Sequence, residues 1–152
     1  MDFKLTEDQQ AFQKTARDFA QSELPEAAHI CETEASPPTH ELIRKYGEMG
    51  FLGINVPEEY GGLGLGNIDA LIVLEEFAKI SSAIAFPVFE SCVGPVKAIE
   101  HFAEESLKKR VIPEVCSGET IVAVAMSEPD AGSALTDLKT KGRCLLYTSP
   151  SP

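Results

Sequence analysis

The sequence predicts a mainly α fold, a helical bundle followed by the first strand of a second, β-rich unit. Three observations predict it. Apolar residues recur at helical spacing, between recognisable caps, as far as residue 118. Pro and Gly punctuate that run where helix–helix connections would fall. The character then changes at "TIVAVAM", 120–126, a short apolar run rich in β-branched residues.

"TEDQ" at 6–9 reads as a capping box, with Thr6 as N-cap and Gln9 three residues on. Phe12, Ala16, Phe19 and Ala20 follow as a core-facing stripe. Pro25 stands where a second helix could begin. "SPP" at 36–38 breaks the pattern, and His40 to Met49 resumes it with Leu42, Ile43 and Tyr46, closed by Gly50. "GFLGINVPEEYGGLGLGN" is crowded with glycine. A phosphate-binding loop is one reading. The stretch lacks the Lys-Ser/Thr of a P-loop, and Asn67 stands where the last glycine of G-x-G-x-x-G would fall. A structural turn that aims the next helix is the preferred reading.

Asn67 is expected to cap "IDALIVLEEFAKI", apolar on nearly every face and therefore buried on both sides. Ser82 can cap the following helix, 83–101, with Pro87 near its first turn. Gly94-Pro95 should kink or divide that helix. "EESLKKRVIPEVCSG" is a further amphipathic helix ended by Gly118.

The formal net charge of -11 argues against a nucleic-acid partner, which would need a basic face. No basic region followed by an apolar core opens the chain, so no secretory signal is expected. The most apolar stretch carries Glu90, Lys97 and two prolines, and reads as a buried helical region rather than a membrane span. Cysteines at 31, 92, 116 and 144 form no CxxC pair, and His29, His40 and His101 are scattered, so no metal site is expected. Reduced cysteines in a cytoplasmic protein are the expectation.

The chemistry-bearing stretch is "MSEPDAGS", 126–133. It suits an anionic, planar ligand. Ser127 and Ser133 offer hydroxyls, Gly132 allows close backbone approach, and consecutive amides can form an anion-holding nest. Pro129 stiffens the turn. From these residues alone, an ordinary strand-to-loop connection reads equally well.

Three stretches together resemble the N-terminal part of the acyl-CoA dehydrogenase family of flavoproteins. "LTEDQQAFQKTARDFA" is similar to the family's first helix, and "GFLGINVPEEYGGLGLG" to its Pro-Glu-x-Tyr-Gly-Gly turn. "AMSEPDAGSALTDLKT" resembles its Met/Val-Thr/Ser-Glu-Pro-x-Ala-Gly-Ser-Asp signature, with Ala134 in place of the closing Asp. That departure removes a side-chain acceptor for backbone amides.

The resemblance implies an N-terminal all-α domain over 1–118 and the start of a truncated middle β-barrel domain over 119–142. Over 143–152 "RCLLYTSPSP" resembles translated adapter sequence and reads as a non-native tail, the alternative being a genuine divergent one. The family resemblance implies FAD as cofactor, contacted by the positions matching Val124, Ala125, Met126, Ser127 and Ser133. Glu128 and Pro129 would shape the turn. The acyl-CoA substrate would meet Ser133 and a channel wall carrying Phe89, Ser91, Cys92 and Val93.

The implied reaction is α,β-desaturation of an acyl-CoA, with electron-transfer flavoprotein as acceptor and a dimeric or tetrameric full-length protein. The family's base lies in a C-terminal helical domain, so no catalytic residue is assigned, and the chain by itself is expected to be inactive. An acyl-CoA oxidase, a nitroalkane oxidase or a flavin monooxygenase relative is the alternative within the superfamily. Outside it, the alternative is a non-catalytic helical interaction domain.

Overall fold

A computed structural model describes residues 4–141. Among these described residues six α-helices follow one another: α1 (Glu7–Glu34), α2 (His40–Glu48), α3 (Asn67–Ala78), α4 (Ser82–Cys92), α5 (Pro95–Phe102) and α6 (Glu105–Ser117).

The caps explain the starts. The Thr6 hydroxyl accepts from the Gln9 amide at 3.2 Å, and the Gln9 side chain accepts from the Thr6 amide at 3.2 Å, the reciprocal pair of a capping box. Thr39 caps α2 by accepting from Leu42 N at 3.3 Å. At α3 the cap is Gly66, one residue before the expected Asn67. Asp69 reaches back to accept from Gly66 N at 2.9 Å, and Asn67 instead accepts from Asn55 Nδ2 at 2.6 Å.

Pro25 does not divide α1, which runs through it. Leu24, Ala28 and Cys31 continue the buried stripe begun by Ala16, Phe19 and Ala20, so packing of one face outweighs the lost backbone bond. Gly94-Pro95 does divide the next pair: α4 ends at Cys92 and α5 starts on Pro95. By length and composition Ser82–Phe102 could cross a membrane. In the fold it is two helices that bury Ile84, Val88, Cys92 and Val96.

The larger core gathers around four aromatic rings. Phe77 stacks on Phe19 at 5.7 Å and meets Tyr46 at 5.0 Å and Phe51 at 5.2 Å. This cluster packs α1, α2, α3 and α4 together. A second core of Val56, Tyr60, Val96, Ile112, Val115 and Cys116 joins α5 and α6 to the glycine-rich stretch. That stretch is a structural turn sewn onto itself, with Leu63, Gly64 and Leu65 amides donating to Gly53, Val56 and Ile54 carbonyls at 2.9–3.1 Å. Gly62 is required there, because an added Cβ would lie 2.1 Å from Val56 O. Arg17 of α1 clasps Glu76 of α3 with two bonds of 2.9 and 3.1 Å, and Lys79 adds a third at 2.9 Å.

Two further expectations are corrected. The helix over 67–78 is buried on one side only; Ile68 and Leu71 face outward and are half exposed among the described residues. The strand expected over 120–126, and with it the beginning of a β-barrel, is not formed. The described residues contain no β-strand, only an isolated bridge between Glu128 and Ala131. The β-branched run makes the backbone of a strand possible, but a strand also needs a neighbour for its amides and carbonyls, and no described segment lies alongside. Residues 143–152, read as a non-native tail, lie outside the described residues.

Candidate functional site

The α4–α5 corner and the segment after α6 form one cleft. α4 is mostly apolar, and its i, i+4 spacing places Phe86 and Glu90 on one face, with Phe89 beside them and Gly94 at the corner that follows. Gly94 is needed at the corner: its amide donates to Phe89 O at 2.8 Å, and an added Cβ would lie 2.9 Å from the Phe89 ring. The Phe86 and Phe89 rings meet at 5.5 Å. Across from them lie Val124 and Met126. Together with Glu90, Gly94 and Pro95 these side chains line a cleft of about 320 Å³. A second groove of about 220 Å³, formed by Leu74, Ala78, Ser82 and Ala85, joins it at Phe86 and Phe89.

Beyond Met126 the chain turns sharply. Glu128 and Ala131 exchange backbone bonds of 2.9 and 3.1 Å around Pro129-Asp130, and Ala131 is buried. The Glu128 carboxylate accepts from the Lys139 and Thr140 amides at 2.8 and 2.9 Å, which closes the loop; the Thr140 side chain, and then these two amides, hold its carboxyl below the usual range. Lys139 Nζ also donates to Asp130 at 2.8 Å.

This turn leaves donors unused. Among the described residues nothing bonds the Ser127 or Ser133 hydroxyl, and the amides of Ala125, Met126, Ser127, Gly132 and Ser133 donate to none. A Cβ on Gly132 would meet nothing within 4 Å, so the backbone there is open to an approaching group. Free amides, two hydroxyls and an adjoining apolar wall fit a ligand that is planar in one part and anionic in another.

The predicted site residues separate into two sets. Val124 and Met126 line the cleft with Phe89, while Ser127 and Ser133 stand on the turn that follows. Ser91 and Cys92 are buried beneath the wall. Ser91 Oγ donates to Val88 O at 3.2 Å, Cys92 Sγ to Phe51 O at 3.8 Å, and burial pushes the Cys92 thiol up. Sequence reasoning missed Phe86, Glu90 and Gly94 on the cleft. The available signal was Glu90 itself, an acid within an apolar helix.

The family profile described as acyl-CoA dehydrogenase, N-terminal domain, matches residues 6–119. The chain belongs to the acyl-CoA dehydrogenase family. Glutaryl-CoA dehydrogenase of Desulfococcus multivorans is 38% identical over 135 residues, which is 88% of this chain and 35% of that protein. Mitochondrial isovaleryl-CoA dehydrogenase of Bos taurus is 34% identical, over 90% of this chain and 32% of the relative. The chain thus spans about a third of the length of the curated relatives it matches.

Among solved structures, the glutaryl-CoA complex of a glutaryl-coenzyme A dehydrogenase superposes with a TM-score of 0.84 at 36% identity, covering 91% of this chain and 35% of that one. An acyl-CoA dehydrogenase from Bacillus anthracis complexed with FAD gives 0.79 at 29% identity, covering 89% of this chain and 23% of that one. The cytoplasmic expectation is overturned by these relatives, several of which, from Bos taurus to Solanum tuberosum, are named as mitochondrial. Free, buried cysteines at 31, 92 and 116 among the described residues do not single out the cytoplasm.

Proposed function

We propose that the intact protein is an FAD-dependent dehydrogenase that desaturates an acyl-CoA thioester between its α and β carbons. In this reading the present chain supplies the helical wall of the acyl channel and the first flavin-holding turn. The observation that carries it is the continuity of the apolar cleft, through Val124 and Met126, with a turn on which the Ser127 and Ser133 hydroxyls and the amides of Met126, Ser127, Gly132 and Ser133 have no partner among the described residues. The family supports it, as does the relative of known structure that is described as complexed with FAD.

Val124, Ala125 and Met126 would pack along the flavin ring, and Ser127 would donate to its polar edge. Ser133 would serve both the pyrophosphate and the thioester ligand, with Gly132 allowing the approach. When bound, the flavin supplies a hydride acceptor. Phe89 would exclude water beside the acyl chain, and Ser91 and Cys92 would hold α4 in place from the core side. Glu128 would keep the turn closed through the Lys139 and Thr140 amides.

The helical unit is proposed to end at Gly118. The base is proposed to come from outside the matched third, so the chain alone would not turn over substrate; losing a general base costs about 10²–10⁴ in rate. Electron-transfer flavoprotein is the proposed acceptor, supported by a similar chain at 31% identity in a structure described for the electron transferring flavoprotein of Acidaminococcus fermentans. A homo-oligomer is proposed for the full-length protein.

The test is the double variant Ser127→Ala, Ser133→Ala in the intact protein. It should lose FAD on gel filtration and bind acyl-CoA more weakly. Wild-type retention of both ligands would sink the assignment.

A further inference from the structure

Among the described residues that line the cleft one is charged, and its charge is negative. Glu90 lies one helical turn from Phe86, on the stripe that faces Val124 and Met126. It is half-buried, and burial alone raises its carboxyl above the usual range. No described cation pairs with it. The two nearest candidates in sequence are committed elsewhere. Lys97 donates to Asn55 O at 2.8 Å and Glu100 at 2.6 Å, and Lys79 to Glu75 and Glu76. The adjoining groove is lined by apolar side chains and Ser82, with no Lys, Arg or His.

Resting on the acyl-CoA reading above, we propose that Glu90 is a specificity-determining residue that restricts this cleft to acyl groups with an uncharged end. An alkyl or branched alkyl group meets Phe86, Phe89, Val124 and Met126 and brings no polar group of its own that would need a partner. An acyl group that ends in a carboxylate, like the glutaryl group in the name of one relative, would bring a second negative charge into the same apolar space. Like charges set together without an intervening cation are strongly unfavourable there. The restriction acts on binding, since Glu90 repels the bound group in the ground state as well as during reaction. Repulsion of this kind, rather than a new attractive contact, is how a shared scaffold separates two substrates of similar length.

The experiment uses the intact holoenzyme and measures dissociation constants by calorimetry for two unsaturated acyl-CoAs, crotonyl-CoA with a neutral end and glutaconyl-CoA with a terminal carboxylate. Wild type should bind crotonyl-CoA tighter by about 100-fold. Glu90→Gln should narrow that ratio at least about tenfold, and Glu90→Ser, which removes the charge along with bulk, should narrow it as well. Equal binding of the two ligands by wild type, or a ratio unmoved in both variants, would overturn the inference and leave the acyl-CoA reading standing. Binding of neither ligand would overturn that reading and this inference with it.

Discussion

Replacing Phe77 by Ala removes the ring on which the larger core is centred. Phe77 is fully buried and touches the rings of Phe19, Tyr46 and Phe51 at 5.0–5.7 Å. These come from α1, from α2 and from the segment that follows it, so the gap cannot close by a shift of one helix. Burial of a Phe side chain lost to Ala costs about 3–5 kcal/mol, and the aromatic pair contacts place this site at the upper end. For a chain of this size 1 kcal/mol corresponds to about 3 °C, so the thermal midpoint should fall by about 10–15 °C. Phe102→Ala is the control, since Phe102 is 87% exposed and should change stability by no more than about 0.5 kcal/mol. Thermal melts by far-UV circular dichroism on both variants give the comparison. Equal midpoints for F77A and F102A would refute the assigned core and, with it, the placement of α3 and α4 behind the cleft.

Further outcomes follow from the same coordinates. The Arg17 guanidinium and Lys79 hold the Glu76 carboxyl below its usual range, so its ionised form stabilises the fold at neutral pH, and that contribution is lost as pH falls through the lowered folded value. The difference in urea midpoint between wild type and Glu76→Gln should therefore shrink on acidification; a difference constant with pH would contradict the pairing. Gly62→Ala, which drives a Cβ to 2.1 Å from Val56 O, should cost about 1–3 kcal/mol, whereas Gly132→Ala meets nothing within 4 Å and should leave the melt of this chain unchanged. In the intact protein Gly132→Ala should nevertheless weaken flavin retention, and unchanged retention would count against the turn as a ligand cradle.

The helical part of this fold was legible because its signals are local. The Thr6–Gln9 box, Gly94-Pro95 and Gly118 each act within one turn of chain, so spacing alone locates them. Three features escaped because they depend on partners distant in sequence. Pro25 stays inside α1 since Leu24 and Ala28 are packed on both sides of it. Asn67 gives up the cap because Asn55, in the glycine-rich turn, takes its side chain. The run at 120–126 is not a strand, since pairing is a property of two segments and no described segment pairs with it. From its residue types the turn at 126–133 read equally well as a ligand site and as an ordinary connection, and Glu90 acquires meaning only when α4 folds against Val124 and Met126.

The central claim is that this chain forms part of a flavin-dependent acyl-CoA dehydrogenase, and anaerobic reduction tests it most directly. The intact reading frame, purified with its flavin, is mixed with a saturated neutral acyl-CoA such as butyryl-CoA in the absence of oxygen, and the flavin band is followed. The predicted result is substrate-dependent bleaching by the intact protein and none by residues 1–152 supplied with FAD. An intact protein that purifies without flavin, or holds a flavin that no acyl-CoA bleaches, would contradict the account.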